Sequence, residues 1–266
     1  MHPVLFHIGS ILIPSYGAVT ALGVLLALFL SERTARVAGL DSHAIWNLWI
    51  ASIFAALVAS RFLLIALNWT ALRLHPAWLL GLAMIHHPLL GAFGAGTGVA
   101  TTVFYGRKLR LPLGPTADAL AAPVALGLAF EQLGALLSGS GFGTPTTVRW
   151  AVTYTNPLAM RWSGVPLGIA LHPVQGYAAL AFVALAMFLW TWLPFRHQQG
   201  DLIGFFMLGA GVAIFFTEFW RDPEGRGELL SGALDGPQIA AVALVVAAGL
   251  VLRKRNGLVE EEAANG

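Results

Sequence analysis

Seven stretches of this chain are each mostly apolar over about 20 residues, the length an α-helix needs to cross the hydrocarbon core of a bilayer. They run near residues 14–31, 45–67, 79–105, 118–138, 174–195, 202–220 and 237–252. In lipid each backbone N–H and C=O must find its partner inside the protein, and a helix achieves this within one segment. The pattern predicts an all-α integral membrane protein with seven transmembrane helices. Composition agrees: 57% of the 266 residues are apolar and 11% charged, against roughly 45–50% and about 25% in soluble domains. Disorder, a collagen-like repeat, a coiled coil and an ordinary cytosolic enzyme are excluded. The chain has no cysteine, hence no disulfide, thiolate metal site or cysteine nucleophile. A formal net charge of +2 is too small to suggest nucleic-acid binding.

Residues 139–172 break the apolar pattern. They are rich in Gly, Thr, Pro and Trp, carry Arg149 and Arg161, and read as an ordered extracytoplasmic loop or head region between helices 4 and 5. Lysines and arginines concentrate on the cytoplasmic side of membrane proteins. In a seven-span arrangement one face holds Arg33, Arg36, Arg107, Lys108, Arg110, Arg196, Arg253, Lys254 and Arg255, and the other holds Arg73, Arg149, Arg161, Arg221 and Arg226. The richer face is expected to be cytoplasmic, with the N-terminus outside and the C-terminus inside. Met1–His7 lacks a basic stretch, so it reads as a short polar entry to the first span rather than a cleaved signal peptide. The expected organisation is one transmembrane domain, 1–256, followed by a cytoplasmic acidic tail, 257–266, carrying Glu260, Glu261 and Glu262.

Ionisable groups at mid-bilayer cost at least about 2.5–3.5 kcal/mol on insertion scales, so each one needs a reason. Arg61 in the second span and Glu131 in the fourth lie well inside apolar runs. Each should face the bundle interior, and mutual pairing would be the cheapest arrangement. Glu218 and Arg221 are three residues apart, a spacing that sets them on one helical face as an ion pair. His86 and His87 lack the i,i+4 spacing of a helical metal pair, so no metal is assigned. The glycines at 91, 94, 96 and 98 permit close helix approach or an irregular cavity wall.

Several segments together resemble the prolipoprotein diacylglyceryl transferase family. They are Met1 to Gly9 with Ser15-Tyr16-Gly17, Ser60-Arg61-Phe62 with Asn68, the basic run Tyr105 to Pro112, and Asp118. Further along come Gly143-Thr144-Pro145-Thr146 with Trp150 to Tyr154, His172-Pro173-Val174-Gln175-Gly176-Tyr177, and Glu218-Phe219-Trp220-Arg221. Order and spacing hold across nearly the whole chain. The resemblance implies transfer of a diacylglyceryl group from phosphatidylglycerol to the lipobox cysteine thiol of a prolipoprotein. It implies a multi-pass protein of the bacterial cytoplasmic membrane, with no cofactor, and a monomer is expected. Its partners would be phospholipid and the prolipoprotein signal peptide. The reactive cysteine belongs to the substrate. The thiol must ionise to attack, and the leaving phosphate needs cationic stabilisation.

The residues expected to carry catalysis are Tyr16, His172 and Glu218. Substrate binding falls to Arg61, Glu131, Gln132, Gly134, Gly139, Gln175, Tyr177 and Arg221. His172 is the expected proton acceptor, since imidazole exchanges protons near neutral pH. Several positions depart from the family pattern. Gln132 and Ile214 stand where the family keeps arginines, Ala178 and Ser140 where it keeps acids, and Glu131 where it has glycine. In the third span the family's His or Tyr falls on Ala92 without gaps, or on His86 with an insertion of about six residues. A neutral amide at 132 gives up the charge-assisted, often bidentate bonds that arginine makes to phosphate. The alternative expectation is a lipid-binding membrane protein of the same fold that has been retargeted or has lost catalysis.

Overall fold

A computed structural model describes residues 1–9, 11–74, 88–222, 228–229 and 234–265. The chain opens with an antiparallel hairpin, β1 (Val4–Ile8) and β2 (Ile11–Pro14), in which Phe6 pairs with Ile13. Sequence reading predicts only a polar entry here. The hairpin leads directly into α1 (Ser15–Val37), and Ser15 anchors it by a backbone bond from its N–H to the Pro3 carbonyl, 2.9 Å. α1 continues six residues past its expected end at 31 because its polar residues are satisfied locally. Ser31 and Thr34 hydroxyls donate to carbonyls three and four residues back, and Glu32 pairs with Arg36 at i,i+4.

α2 (Ser42–Leu67) follows an Asp41 cap whose side chain accepts from the His43 N–H. The short α3 (Trp69–Leu74) precedes α4 (Pro88–Lys108), which has proline as its first residue. The first part of the expected third span, including His86 and His87, lies outside the described residues. α5 (Leu113–Ser138) is the hub: it packs on α1, α7 and α8, whereas α2 packs mainly on α4 and less on α1. Its buried face is nearly all small, with Ala119, Ala121, Ala122, Ala125, Ala129, Gly134 and Ala135. Small faces let helix backbones approach where lipid supplies no hydrophobic drive for association.

Residues 139–172 form an ordered head. β3 (Val152–Thr153) pairs with β4 (Ala170–Leu171) around α6 (Pro157–Ser163), over a core of Tyr154, Ala159, Val165 and Leu171. Tyr154 donates from its hydroxyl to the Leu136 carbonyl at 2.7 Å, tying the head to the end of α5. Burial pushes the Tyr154 hydroxyl pKa above the ordinary tyrosine value.

α7 (Val174–Trp192) and α8 (Asp201–Glu218) complete the central bundle. Buried Asp118 on α5 accepts from the N–H groups of Gly200, Leu202 and Ile203 at 2.7, 3.0 and 3.1 Å. A carboxylate thus caps the positive end of α8 and fixes its register against α5. The small strands β5 (Glu228–Leu229) and β6 (Leu234–Asp235) precede α9 (Gly236–Asn265), which packs on α8. α9 runs without interruption through residues 257–265, which the sequence reading assigns to a separate tail. Among the described residues six helices are long and apolar enough to cross a membrane: α1, α2, α5, α7 with the turn that follows it, α8, and α9 as far as Arg253.

Candidate active site

Two polar clusters meet where α1, α5, α7 and α8 come together. The first is inside the bundle. Tyr16, in the first turn of α1, donates from its hydroxyl to Glu131 Oε1 at 3.0 Å. Gln132 Nε2 donates to Glu131 Oε2 at 2.6 Å. Both carboxylate oxygens of Glu131 are therefore engaged, and among the described residues no donor reaches Gln132 Oε1.

The expected Arg61–Glu131 pair does not form. Glu131 bonds Tyr16 and Gln132 instead, and no carboxylate among the described residues pairs with Arg61. The reason is topological: α1 packs against both α2 and α5, so a residue of α1 meets Glu131 first. Gly134 makes this approach possible. A Cβ there would meet the Tyr16 carbonyl oxygen at 3.0 Å and its Cα at 3.2 Å.

The second cluster surrounds the turn after α5. Gly139 ends α5 with φ +85, a left-handed conformation that glycine adopts without penalty. The turn is then clamped from two sides. Gln175 on α7, fully buried, donates to the Ser140 carbonyl at 2.7 Å, and Arg221 Nη1 donates to the Gly141 carbonyl at 2.7 Å. Arg221 also bonds Glu218 through Nε at 2.7 Å, as the spacing predicts. Both side chains of this pair are largely buried, at 15% and 5% exposure, so it is a desolvated ion pair rather than a surface one. Among the described residues no donor reaches Gln175 Oε1.

His172 lies two residues before α7, and its Nδ1 stands 3.4 Å from the Tyr177 hydroxyl. Trp150 Nε1 donates to the same hydroxyl at 2.7 Å. Trp220 closes the group, with its ring centroid 6.3 Å from His172 and 6.2 Å from Tyr177. Sequence reasoning did not single out Trp150, Trp220 or the Ser140 and Gly141 carbonyls. Trp150 and Trp220 stand within motifs whose other residues carry the charge and the ring nitrogens, and the carbonyls have no side-chain signature. Ala178 and Ile214 share one apolar cluster with Ala129, Phe182 and Ala210. Ala92 lies on α4, exposed. Among the described residues no three His, Cys, Asp or Glu side chains converge as metal ligands.

The arrangement offers a carboxylate held by two donors, a buried ion pair and an imidazole–phenol pair beside two indoles, all at one end of a lipid-facing bundle. Comparison with known proteins gives this arrangement its context. A sequence profile described as prolipoprotein diacylglyceryl transferase matches residues 3–253. A phosphatidylglycerol–prolipoprotein diacylglyceryl transferase of Clostridium tetani is 30% identical over 87% of this chain and 90% of its own length. Its counterpart from Synechococcus elongatus is 31% identical over 91% and 83%, and that of Vibrio cholerae is 27% identical over 98% and 95%. With the profile match spanning nearly the whole chain, this protein belongs to the prolipoprotein diacylglyceryl transferase family.

Proposed function

We propose that the protein transfers a diacylglyceryl group from phosphatidylglycerol to the lipobox cysteine of a prolipoprotein. The observation that carries this reading is the hydrogen-bonded Tyr16–Glu131–Gln132 cluster inside the bundle of a chain that matches this family over residues 3–253. In the reaction the thiol sulfur forms a bond to the glyceryl carbon while that carbon's bond to the phosphate oxygen breaks. Glycerol phosphate leaves with the electron pair, and the thiol proton passes to a base of the protein. His172 takes that proton, steadied by Tyr177. Tyr16 and Glu218 complete the catalytic set. Arg61, Glu131, Gln132, Gln175, Tyr177 and Arg221 hold the substrates, and Gly134 and Gly139 shape the wall against which they lie.

In this reading the chain sits in the bacterial cytoplasmic membrane as a monomer. It has seven spans, the third including α4, in a single domain over 1–256. The head at 139–172 and the N-terminus are outside, and the C-terminus is inside. The arginine distribution supports this orientation. Loss of family charges at 132, 178 and 214 favours a second reading, a protein of the same fold that binds lipid without catalysis or uses another headgroup. The supporting observation is that Ala178 and Ile214 share an apolar cluster, so the missing acid and arginine left no stranded partner.

Complementation separates the readings. In a strain depleted of its own transferase, rescue by this protein that is lost on Tyr16→Phe or Glu131→Gln supports catalysis. Failure to rescue, with the protein present and inserted in the membrane, supports the second reading.

A further inference from the structure

At the opposite end of α1 from Tyr16 lies a groove of about 510 Å³ between α1 and α5. This is within the roughly 300–1,000 Å³ of small-ligand sites. Its floor is apolar, formed by Leu26, Phe29 and Leu30 of α1 and Leu126 of α5, and its rim carries Arg33 and Arg36. Phe29 is braced edge-on by Trp46 of α2, with centroids 6.1 Å apart. Tryptophan is enriched at membrane–water interfaces, and Arg33 and Arg36 lie in the last two turns of α1.

The two arginines are not equivalent. Arg36 is bonded to Glu32 at 3.0 Å, but both side chains are well exposed, at 62% and 41%. An exposed pair of this kind is held weakly and gives way to a better acceptor. Arg33 is exposed, and no carboxylate among the described residues pairs with it. Its guanidinium is built to take a phosphate through parallel N–H bonds. A slot with apolar walls and a rim of Arg33 and Arg36 beside Glu32, net positive, suits an anionic phospholipid with a chain on the leucines and its phosphate on the arginines. Basic pockets between spanning helices bind such headgroups.

We propose that this groove is a second lipid site, occupied by an intact anionic phospholipid that is retained rather than consumed. It stands about 25 Å along α1 from the Tyr16 cluster, at 1.5 Å per residue. It uses none of the residues assigned to transfer and stands or falls independently of the transfer reaction.

Native mass spectrometry of the full chain tests it, with dioleoyl phosphatidic acid and dioleoyl phosphatidylcholine offered at equal concentration. Wild type should retain at least one more phosphatidic acid than Arg33→Gln/Arg36→Gln, with roughly ten-fold preference over phosphatidylcholine at that site. Leu26→Trp, which fills the slot from an already half-exposed position without changing charge, should abolish the same retention. Glu32→Gln should strengthen it by releasing Arg36. Inorganic phosphate alone should neither bind measurably nor displace the lipid. Equal retention in wild type and both variants, or phosphate binding that survives Leu26→Trp, would overturn the site. The Tyr16–Glu131 cluster is unchanged in every variant, so lipid bound there cancels in the comparison.

Discussion

Tyr16 and Glu131 lie 115 residues apart in the chain and meet at 3.0 Å, the phenol donating to the carboxylate across the α1–α5 contact. This bond ties the first turn of α1 to a carboxylate seven residues before the end of α5. Its removal is the first expectation to test. Tyr16→Phe deletes the donor and leaves Glu131 with one fewer bond inside the bundle, a loss of about 1–3 kcal/mol. If the full bond is realised in the transition state, diacylglyceryl transfer should fall roughly 5- to 150-fold. Transfer from labelled phosphatidylglycerol to a lipobox peptide, measured alongside thermal unfolding, separates a catalytic loss from a folding loss.

Gln132 sits beside a carboxylate, so an arginine placed there meets Glu131 before any phosphate. Gln132→Arg should pair with Glu131 and gain little in phosphatidylglycerol turnover. Gln132→Arg with Glu131→Gly should gain clearly more than the sum of the single changes. A double-mutant cycle on kcat/KM measures this coupling, expected at about 1–3 kcal/mol for residues in one network.

Ile214→Arg places a charge against Ala129, Ala178, Phe182 and Ala210, one turn before Glu218, which Arg221 already engages. Ile214 is partly buried, so the added charge should destabilise by about 1–3 kcal/mol. Adding Ala178→Glu should recover at least half of that loss. Thermal unfolding of the two single variants and the pair in one detergent checks the sign, and equal stability of Ile214→Arg and the pair would contradict it.

Glu218→Gln removes a carboxylate that Arg221 bonds at 2.7 Å while keeping its shape. Breaking a buried pair from one side costs about 3–5 kcal/mol. Arg221 also holds the Gly141 carbonyl, so the turn after α5 should loosen with it. The expected result is a lowered unfolding temperature together with faster amide exchange at residues 139–143.

Tyr154 supplies a pH signature outside the spans. Its hydroxyl is buried and bonds the Leu136 carbonyl, so its pKa in the folded protein is raised. The proton-bound form is the one the fold favours. The resulting stability is complete below the unfolded tyrosine value near pH 10 and declines as pH rises beyond it. Wild type should exceed Tyr154→Phe by about 0.5–1.5 kcal/mol at pH 7. That gap should narrow above about pH 10, a trend read from denaturation midpoints at pH 7 to 11.

Six of the seven expected spans coincide with span-length apolar helices among the described residues, because length and hydropathy determine what lipid tolerates, and the Glu218–Arg221 pair is legible because three residues on a helix is a fixed geometry. The β1–β2 hairpin was not, since Val4–Ile8 and Ile11–Pro14 are too short for strand periodicity to stand out beside a long apolar helix. The partner of Glu131 was misjudged because pairing charge with charge ignores which helix intervenes, and α1 stands on the path to Arg61. Trp150 and Tyr177 are 27 residues apart and on different elements, and no local pattern announces their bond.

The central claim is that this altered centre still performs transfer. The most direct measurement uses the purified full chain in phosphatidylglycerol vesicles with a lipobox peptide, read by mass spectrometry of the peptide and detection of released glycerol phosphate. The account predicts a thioether-linked diacylglyceryl peptide and equimolar glycerol phosphate from wild type, with both lost together in Glu131→Gln. Folded wild-type protein that yields neither product, or yields both unchanged after Glu131→Gln, would contradict it.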